Sequence, residues 1–121
     1  PILAMMTSVL VSPDGAWEYE AAHGTVQRHY YRHLAGEETS TNSVATIFAW
    51  TGALRKRGEL DELPELMAFA DRLERATLAT VEAGYMTGDL AAMAKPGFSV
   101  TVLNSEEFLD AVAEEIGKIV K

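Results

Sequence analysis

The segment from Glu20 to Tyr30 carries the residue types best suited to binding an anionic ligand. It reads Glu-Ala-Ala-His-Gly-Thr-Val-Gln-Arg-His-Tyr, and the surrounding pattern predicts that a strand ends and a helix begins within it. Gly24 would let a ligand approach the backbone closely, and the first turn of a helix has N–H groups without intrahelical partners. Phosphate groups commonly bind at such junctions. The segment is neither a GxGxxG loop nor a P-loop, so a turn glycine followed by solvated charges is the simpler local interpretation.

The formal net charge of −8 is unevenly distributed. Residues 1–58 contain five acidic and five basic residues, whereas residues 59–121 contain thirteen acidic and five basic ones. General nucleic-acid binding needs an electropositive surface, so the composition excludes it. A local basic cluster nevertheless marks where an anionic ligand is expected, and it consists of Arg28, His29, Arg32 and His33.

The chain of 121 residues is long enough for one domain with a modest core. It contains no cysteine, which excludes a disulfide framework and a thiolate metal site. No apolar run approaches the roughly 20 residues of a membrane span, and residues 1–11 lack the flanking features of a signal peptide. We expect no membrane partner and a cytoplasmic location.

Two strands are predicted first. Residues 5–11 are apolar and rich in β-branched side chains, and residues 17–22 alternate between apolar and polar side chains. Pro13 and Gly15 between them are typical of a tight turn, so the pair is predicted to form a hairpin. Residues 5–11 are apolar at successive positions, as in a strand that is covered on both faces. A hairpin is rarely stable alone, so we expect this strand's neighbours to lie outside the chain.

Helices dominate the remainder. Apolar residues at helical spacing predict helices over residues 26–34, 44–57, 62–82 and 88–94, with a further strand at 98–103. Gly36, Gly58 and Gly84 are expected to end the first three helices. Asn104 and Glu107 have the spacing of a capping box for a last helix that reaches residue 120.

Several ordered blocks resemble the isocitrate and isopropylmalate dehydrogenase family, specifically its NADP-dependent isocitrate dehydrogenases. The blocks are Met-Met-Thr-Ser-Val-Leu-Val at 5–11, Glu-Ala-Ala-His-Gly-Thr at 20–25, Thr-Ser-Thr-Asn at 39–42, Ile-Phe-Ala-Trp-Thr at 47–51, Glu-Ala-Gly-Tyr-Met-Thr at 82–87 and Asp-Leu-Ala at 89–91. The resemblance implies an α/β fold in which residues 1–121 form one segment. That segment would be the C-terminal part of the large, cofactor-binding domain, a strand hairpin followed by several helices.

The resemblance also implies that the loop beginning at His23 wraps the adenosine end of NADP. His23 would lie beside the adenine and ribose. Mainly backbone contacts are expected from the residues that follow, Gly24, Thr25, Val26 and Gln27.

The next position bears on cofactor choice. Relatives that use NAD tend to have aspartate there, which can accept hydrogen bonds from the ribose hydroxyls. This chain has Arg28, followed by His29. A guanidinium can bind a phosphate through two hydrogen bonds, whereas a carboxylate repels it. Arg28 is therefore expected to select NADP over NAD.

Two further cofactor contacts are implied, each with a structural alternative. Asn42 would contact the adenine, although it also suits a helix cap. The family commonly has proline next, where this chain has Ser43. Asp89 would lie near the adenosine, although an acid also suits the first turn of a helix. Glu20 could lie near the nicotinamide or simply face solvent.

The family's catalytic groups precede the point where this chain begins. They are an arginine cluster for isocitrate, a tyrosine–lysine pair that moves protons, and aspartates that hold magnesium or manganese. We therefore assign no catalytic residue and no metal ligand here, and we expect the isolated chain to be inactive.

Two functional hypotheses remain at this point. In the first, the chain is a segment of an NADP-dependent isocitrate dehydrogenase, and its partners are NADP and the rest of the dehydrogenase chain or further copies of itself. Isocitrate would bind only to the intact enzyme, which oxidatively decarboxylates it to 2-oxoglutarate. In the second, it is a free-standing, non-catalytic protein that binds a nucleotide or a partner.

Overall fold

The computed structural model describes residues 6–22, 27–37 and 42–119. Four strands and five helices occur in these ranges. In chain order they are β1 (Thr7–Val11), β2 (Trp17–Ala21), α1 (Gln27–Leu34), α2 (Val44–Leu60), α3 (Pro64–Glu82), β3 (Tyr85–Thr87), α4 (Gly88–Ala91), β4 (Thr101–Leu103) and α5 (Ser105–Lys118). The predicted α/β character, a hairpin followed mainly by helices, is confirmed.

The first two strands form the predicted antiparallel hairpin. Val9 lies opposite Tyr19 and Val11 opposite Trp17. Gly15 adopts a positive φ of 92° in the connecting turn, where its N–H donates to the carbonyl of Ser12 over 3.0 Å. The turn glycine and the alternating residues of the two strands therefore together set the register of β1 against β2.

The hairpin packs against α2, and α2 in turn packs against α3. A network of polar side chains joins the two helices. Arg55 binds Asp71 and Glu74, each at 2.8 Å, and the Thr51 hydroxyl donates to the other oxygen of Glu74 over 2.8 Å. The hydrogen bond with Asp71, and after it the smaller effect of the hydrogen bond with Glu74, raises the pKa of the Arg55 guanidinium above its usual value.

The core lies where α2, α3 and α5 meet the small sheet of β3 and β4. Its buried side chains are Val44, Ile47, Ala76, Met86, Leu90, Phe108 and Val112. Four of these seven side chains, Val44 and Ile47 of α2 and Phe108 and Val112 of α5, lie at the helical spacing from which these helices were predicted. The side chains of Phe48, Leu73, Ile116 and Ile119 are partly buried against the same cluster.

Gly58 does not end α2, so that prediction was wrong. The helix continues to Leu60, and Gly58 is buried against the start of α3. A Cβ added there would lie 2.6 Å from Met67 Cγ and 3.0 Å from the Leu63 carbonyl oxygen. The glycine allows a close approach between chain segments. The positive φ that redirects the chain belongs instead to Glu62, at 54°.

The C-terminal third differs in detail from the prediction. Residues 85–87 form β3, which the sequence did not suggest, and they pair in parallel with β4. The predicted strand over 98–103 is shortened to β4, and α4 is shorter than predicted. Gly84 ends the third helix as expected, with a φ of 95°.

The capping box of α5 is confirmed. The Glu107 N–H donates to the Asn104 side chain over 2.7 Å, and the Asn104 N–H donates to the Glu107 carboxylate over 3.0 Å. In the ranges that the structure describes, none of the helices has the length and apolar character of a membrane span.

Candidate functional site

The predicted loop contacts divide between described and undescribed residues. His23, Gly24, Thr25 and Val26 lie outside the described residues. Gln27 and Arg28 form the start of α1, and both are exposed. His29 is the third residue of the same helix.

The first turn of α1 has no acidic residue. The predicted phosphate-binding side chain, Arg28, is exposed at the start of this helix, where the dipole also favours an anion. No ion pair among the described residues engages Arg28. Four positions further along, Arg32 lies 3.9 Å from Glu37, a distance that indicates a weak surface pair.

Asn42 lies just before α2. Its side-chain oxygen accepts a hydrogen bond from the Val44 N–H over 2.9 Å, so Asn42 satisfies the first N–H of the helix without being its N-cap residue. The residue at the N-cap position is Ser43, which forms no side-chain cap. The Ser43 hydroxyl oxygen is buried and has no hydrogen-bond partner among the described residues.

A buried hydroxyl without a partner is costly, because it loses its water without compensation. The predicted adenine-contacting segment therefore contains a polar atom that has no partner among the described residues and that a ligand with hydrogen-bonding groups could satisfy. Ser43 was not among the residues predicted from the sequence to bind the cofactor. Its only signal was its place at the end of a run of capping residues.

Asp89 lies in the first turn of α4 and is exposed. It accepts a hydrogen bond from the buried Thr87 hydroxyl over 2.7 Å. Thr87 is the N-cap residue of α4, but its side chain bonds Asp89 and caps no backbone N–H. Asp89 is thus held in place by its neighbour, with its carboxylate still accessible.

The fold anchors two of the predicted segments to one core. Val44, two residues after Asn42, and Leu90, next to Asp89, belong to the same buried cluster. Arg28 is not anchored in this way, since the described side chains of α1 are all exposed. The structure therefore fixes the predicted adenosine contacts Asn42 and Asp89 on a common scaffold and leaves Arg28 on an exposed helix.

Metal binding was expected to lie outside this chain. Within the described ranges, no group of three or more histidine, aspartate or glutamate side chains could hold a metal ion. These residues do not fit a divalent ion, and we derive no metal-dependent step from them. Glu20, considered near the nicotinamide, is an exposed residue of β2.

The family model of isocitrate/isopropylmalate dehydrogenase matches residues 2–112 of this chain. The chain belongs to this family. Among curated relatives, it is 57% identical over 119 residues to the mitochondrial NADP isocitrate dehydrogenase of Candida tropicalis, which covers 96% of this chain and 27% of that protein.

Two other curated relatives match the chain to a similar extent. Identity is 55% over 117 residues to isocitrate dehydrogenase [NADP] 1 of Mycobacterium bovis, covering 96% of this chain and 28% of that protein. Identity is 54% over 121 residues to the mitochondrial NADP isocitrate dehydrogenase of Saccharomyces cerevisiae, covering 98% of this chain and 28% of that protein. The chain thus spans a little over a quarter of the length of the relatives it matches. It corresponds to a segment of an isocitrate/isopropylmalate dehydrogenase.

Proposed function

We propose that this chain supplies part of the NADP site of an NADP-dependent isocitrate dehydrogenase, which oxidatively decarboxylates isocitrate to 2-oxoglutarate. The observation that carries the proposal is Arg28, an exposed cation at the start of α1 within a chain more than half identical to NADP enzymes. The cofactor would accept a hydride from the substrate. The residues of this chain would bind and orient its adenosine half.

The proposed roles follow from charge and position. His23 would contact the adenine and ribose, and the backbone of Gly24, Thr25, Val26 and Gln27 would line the nucleotide. Arg28, with His29 beside it, would bind the 2′-phosphate that distinguishes NADP from NAD. These residues form the part of the site that follows β2.

A second set of proposed contacts comes from the core-anchored segments. Asn42 and the unsatisfied Ser43 hydroxyl would contact the adenine, and Asp89 would lie near the adenosine. Both segments are fixed by buried neighbours, so they would be preorganised for the ligand. Preorganised contacts bind more tightly because less conformational entropy is lost on binding.

Isocitrate, magnesium or manganese, and the proton-transfer groups would be bound by the remaining part of the dehydrogenase polypeptide. The chain would act as its partner in one folded unit. The relatives include enzymes named as mitochondrial and as peroxisomal, so a cytoplasmic location stays a prediction.

The proposal is tested by activity with and without the rest of the polypeptide. The 121-residue chain, purified free of host dehydrogenase, should form no NADPH from isocitrate, NADP and Mg²⁺ or Mn²⁺. A polypeptide of the relatives' full length that contains this sequence should form NADPH. Steady NADPH formation by the 121-residue chain would contradict the assigned division of roles, and NADH formed in preference to NADPH by the long polypeptide would contradict the cofactor assignment.

A further inference from the structure

A buried hydroxyl group holds the carboxylate of Asp89. Thr87 Oγ1 donates to Asp89 Oδ1 over 2.7 Å, and Thr87 is 0% exposed. A threonine hydroxyl has one proton to donate, and the distance is that of a hydrogen bond to an ionised carboxylate. The donor capacity of the Thr87 hydroxyl is therefore committed to Asp89.

This use of the hydroxyl differs from the usual one at the start of a helix. Thr87 is the N-cap residue of α4, where a threonine side chain commonly accepts a hydrogen bond from a backbone N–H of the first turn. Its side chain forms no such cap. The side chain of Thr87 thus orients a neighbouring carboxylate instead of a helix terminus.

The protein core fixes Thr87 on both sides. Met86 and Leu90 belong to the buried cluster, and Thr87 lies opposite Leu103 in the parallel pair of β3 and β4. Asp89 lies between these buried positions in the exposed first turn of α4. All of these contacts lie within the described residues, so the orientation of the carboxylate does not depend on a surface that another part of the polypeptide would cover.

An oriented carboxylate recognises a hydrogen-bond donor, because it has acceptor atoms only. The adenosine half of NADP offers two kinds of donor, the amino group at position 6 of the purine and the ribose hydroxyl that carries no phosphate. That hydroxyl is next to the 2′-phosphate, and a carboxylate and a phosphate repel one another at short range. The amino group is therefore the donor that suits Asp89.

The packing of the site favours the same end of the adenosine. The segment of Asn42, the proposed adenine contact, is anchored through Val44 to the core that also holds Leu90, next to Asp89. Arg28, the proposed phosphate contact, lies on a helix whose described side chains are exposed. The fold thus groups Asp89 with the adenine contact.

We propose that Thr87 is a positioning residue that holds the Asp89 carboxylate as the acceptor for the 6-amino group of adenine, so that the pair selects adenine over a purine with a 6-oxo group. The inference rests on the proposed cofactor role and adds to it the residue that orients Asp89. A 6-oxo group is an acceptor, like O6 of guanine, and it would face the carboxylate with no proton between them. Sites built to bond one polar group reject the analogue that lacks it.

The test uses a full-length dehydrogenase that contains this chain. Calorimetric titration gives Kd for NADP, NAD and nicotinamide hypoxanthine dinucleotide phosphate, which is the 6-oxo analogue of NADP. The unmodified enzyme should bind NADP about tenfold or more tightly than this analogue. Thr87→Val keeps the shape of the side chain and removes the hydroxyl. It should weaken NADP and NAD alike, by about two- to tenfold, because the carboxylate must then be ordered during binding. Thr87→Ser, which keeps the hydroxyl, should bind all three as the unmodified enzyme does.

Two substitutions of Asp89 show whether Thr87 acts through it. In an Asp89→Ala enzyme, the addition of Thr87→Val should change nucleotide affinity no further. In Asp89→Asn, the Thr87 hydroxyl donates to the amide oxygen and the NH₂ group takes the place of the second carboxylate oxygen. The preference for NADP over the 6-oxo analogue should then fall by about tenfold or more. Because Asp89 is exposed, this result also decides the question if Thr87→Val does not fold.

Thr77 provides the matched control. It is also 0% exposed, and its hydroxyl donates to the Leu73 carbonyl within α3 over 2.8 Å. Thr77→Val removes a buried hydroxyl of the same kind and should leave all three affinities unchanged. A loss equal to that of Thr87→Val would show a general effect of buried threonines and would overturn the proposal.

Failure of this proposal can be distinguished from failure of the proposed function. Tighter binding of NAD than of NADP by the unmodified enzyme would contradict the proposed function, and binding of neither would overturn both. Three results would overturn the positioning role alone. They are unchanged affinities in Thr87→Val, an equal loss from Thr87→Val when Asp89 is replaced by alanine, and an unchanged preference for NADP over its 6-oxo analogue in Asp89→Asn.

Discussion

Replacing Gly58 by alanine should destabilise the fold, although the same change usually favours a helix. In an exposed helix interior, glycine to alanine stabilises by about 1 kcal/mol through backbone entropy. At Gly58 the new methyl group would lie 3.0 Å from the Leu63 carbonyl oxygen and 3.3 Å from the Met67 backbone nitrogen. Met67 Cγ, at 2.6 Å, belongs to a flexible side chain that could move.

The contacts with the backbone atoms of Leu63 and Met67 decide whether Gly58→Ala stabilises or destabilises the fold. They belong to the turn between α2 and α3, in which the Leu63 N–H donates to the Gly58 carbonyl over 2.8 Å. Overpacking of this kind costs about 1–3 kcal/mol. After the helical gain of about 1 kcal/mol is subtracted, we expect Gly58→Ala to lower the free energy of unfolding by up to about 2 kcal/mol.

Gly117 provides the matched control. It is exposed in α5, and apart from its chain neighbours and the backbone of its own helix no described atom lies within 4 Å of an added Cβ. Gly117→Ala should therefore raise the free energy of unfolding, by up to about 1 kcal/mol. Urea unfolding followed by circular dichroism, at the lowest workable protein concentration, measures both changes. A Gly58→Ala protein as stable as Gly117→Ala would refute the close packing of α2 against the start of α3.

Three further predictions concern the caps and the exposed hairpin. Asn104→Ala should lower the free energy of unfolding by about 1 kcal/mol in urea titrations, because it removes one half of a reciprocal cap. An unchanged urea midpoint would mean that the stability of α5 does not depend on this cap. The chain should associate as its concentration rises, because Val9 and Leu10 are 43% and 54% exposed on opposite faces of β1. Light scattering across a dilution series measures this association, and a monomer at every concentration would contradict the prediction. Leu10→Lys should reduce that association, since a charge on an exposed strand face opposes edge pairing, and equal association of the two proteins would exclude the hairpin as the contact.

The elements of this fold that depend on local pattern could be predicted from the sequence. The hairpin followed from alternation around Pro13 and Gly15, and the cap of α5 followed from Asn104 and Glu107. In each case the residues concerned are neighbours along the chain, so their interaction is visible in their spacing.

The elements that depend on tertiary contacts could not be predicted. Gly58 has the local signature of a helix end, but its role is set by Met67 and Leu63 across a turn. The strand β3 is three residues long and exists through its parallel pairing with β4, about fifteen residues later.

The candidate site shows the same division. Gln27, Arg28, Asn42 and Asp89 were identified from the sequence, and the structure adds that buried neighbours hold Asn42 and Asp89 whereas Gln27 and Arg28 are exposed on α1. The anchoring of Asn42 and Asp89 on one core follows from the packing of Val44 and Leu90, which no local pattern encodes. The buried Ser43 hydroxyl was not foreseen for binding, because burial of a single oxygen depends on the surrounding fold.

The central claim is that Arg28 selects NADP, and its most direct test is the ratio of NADP to NAD affinity in a full-length dehydrogenase that contains this chain. Calorimetric titration of Arg28→Asp should show NADP affinity reduced by about tenfold or more with NAD affinity nearly unchanged, because a charge-assisted hydrogen bond contributes roughly 1.5–3 kcal/mol. Arg32→Asp, the same charge change four residues along α1, should leave the ratio unaltered. Equal losses of NADP and NAD affinity in Arg28→Asp, or the same shift in Arg32→Asp, would contradict the assignment.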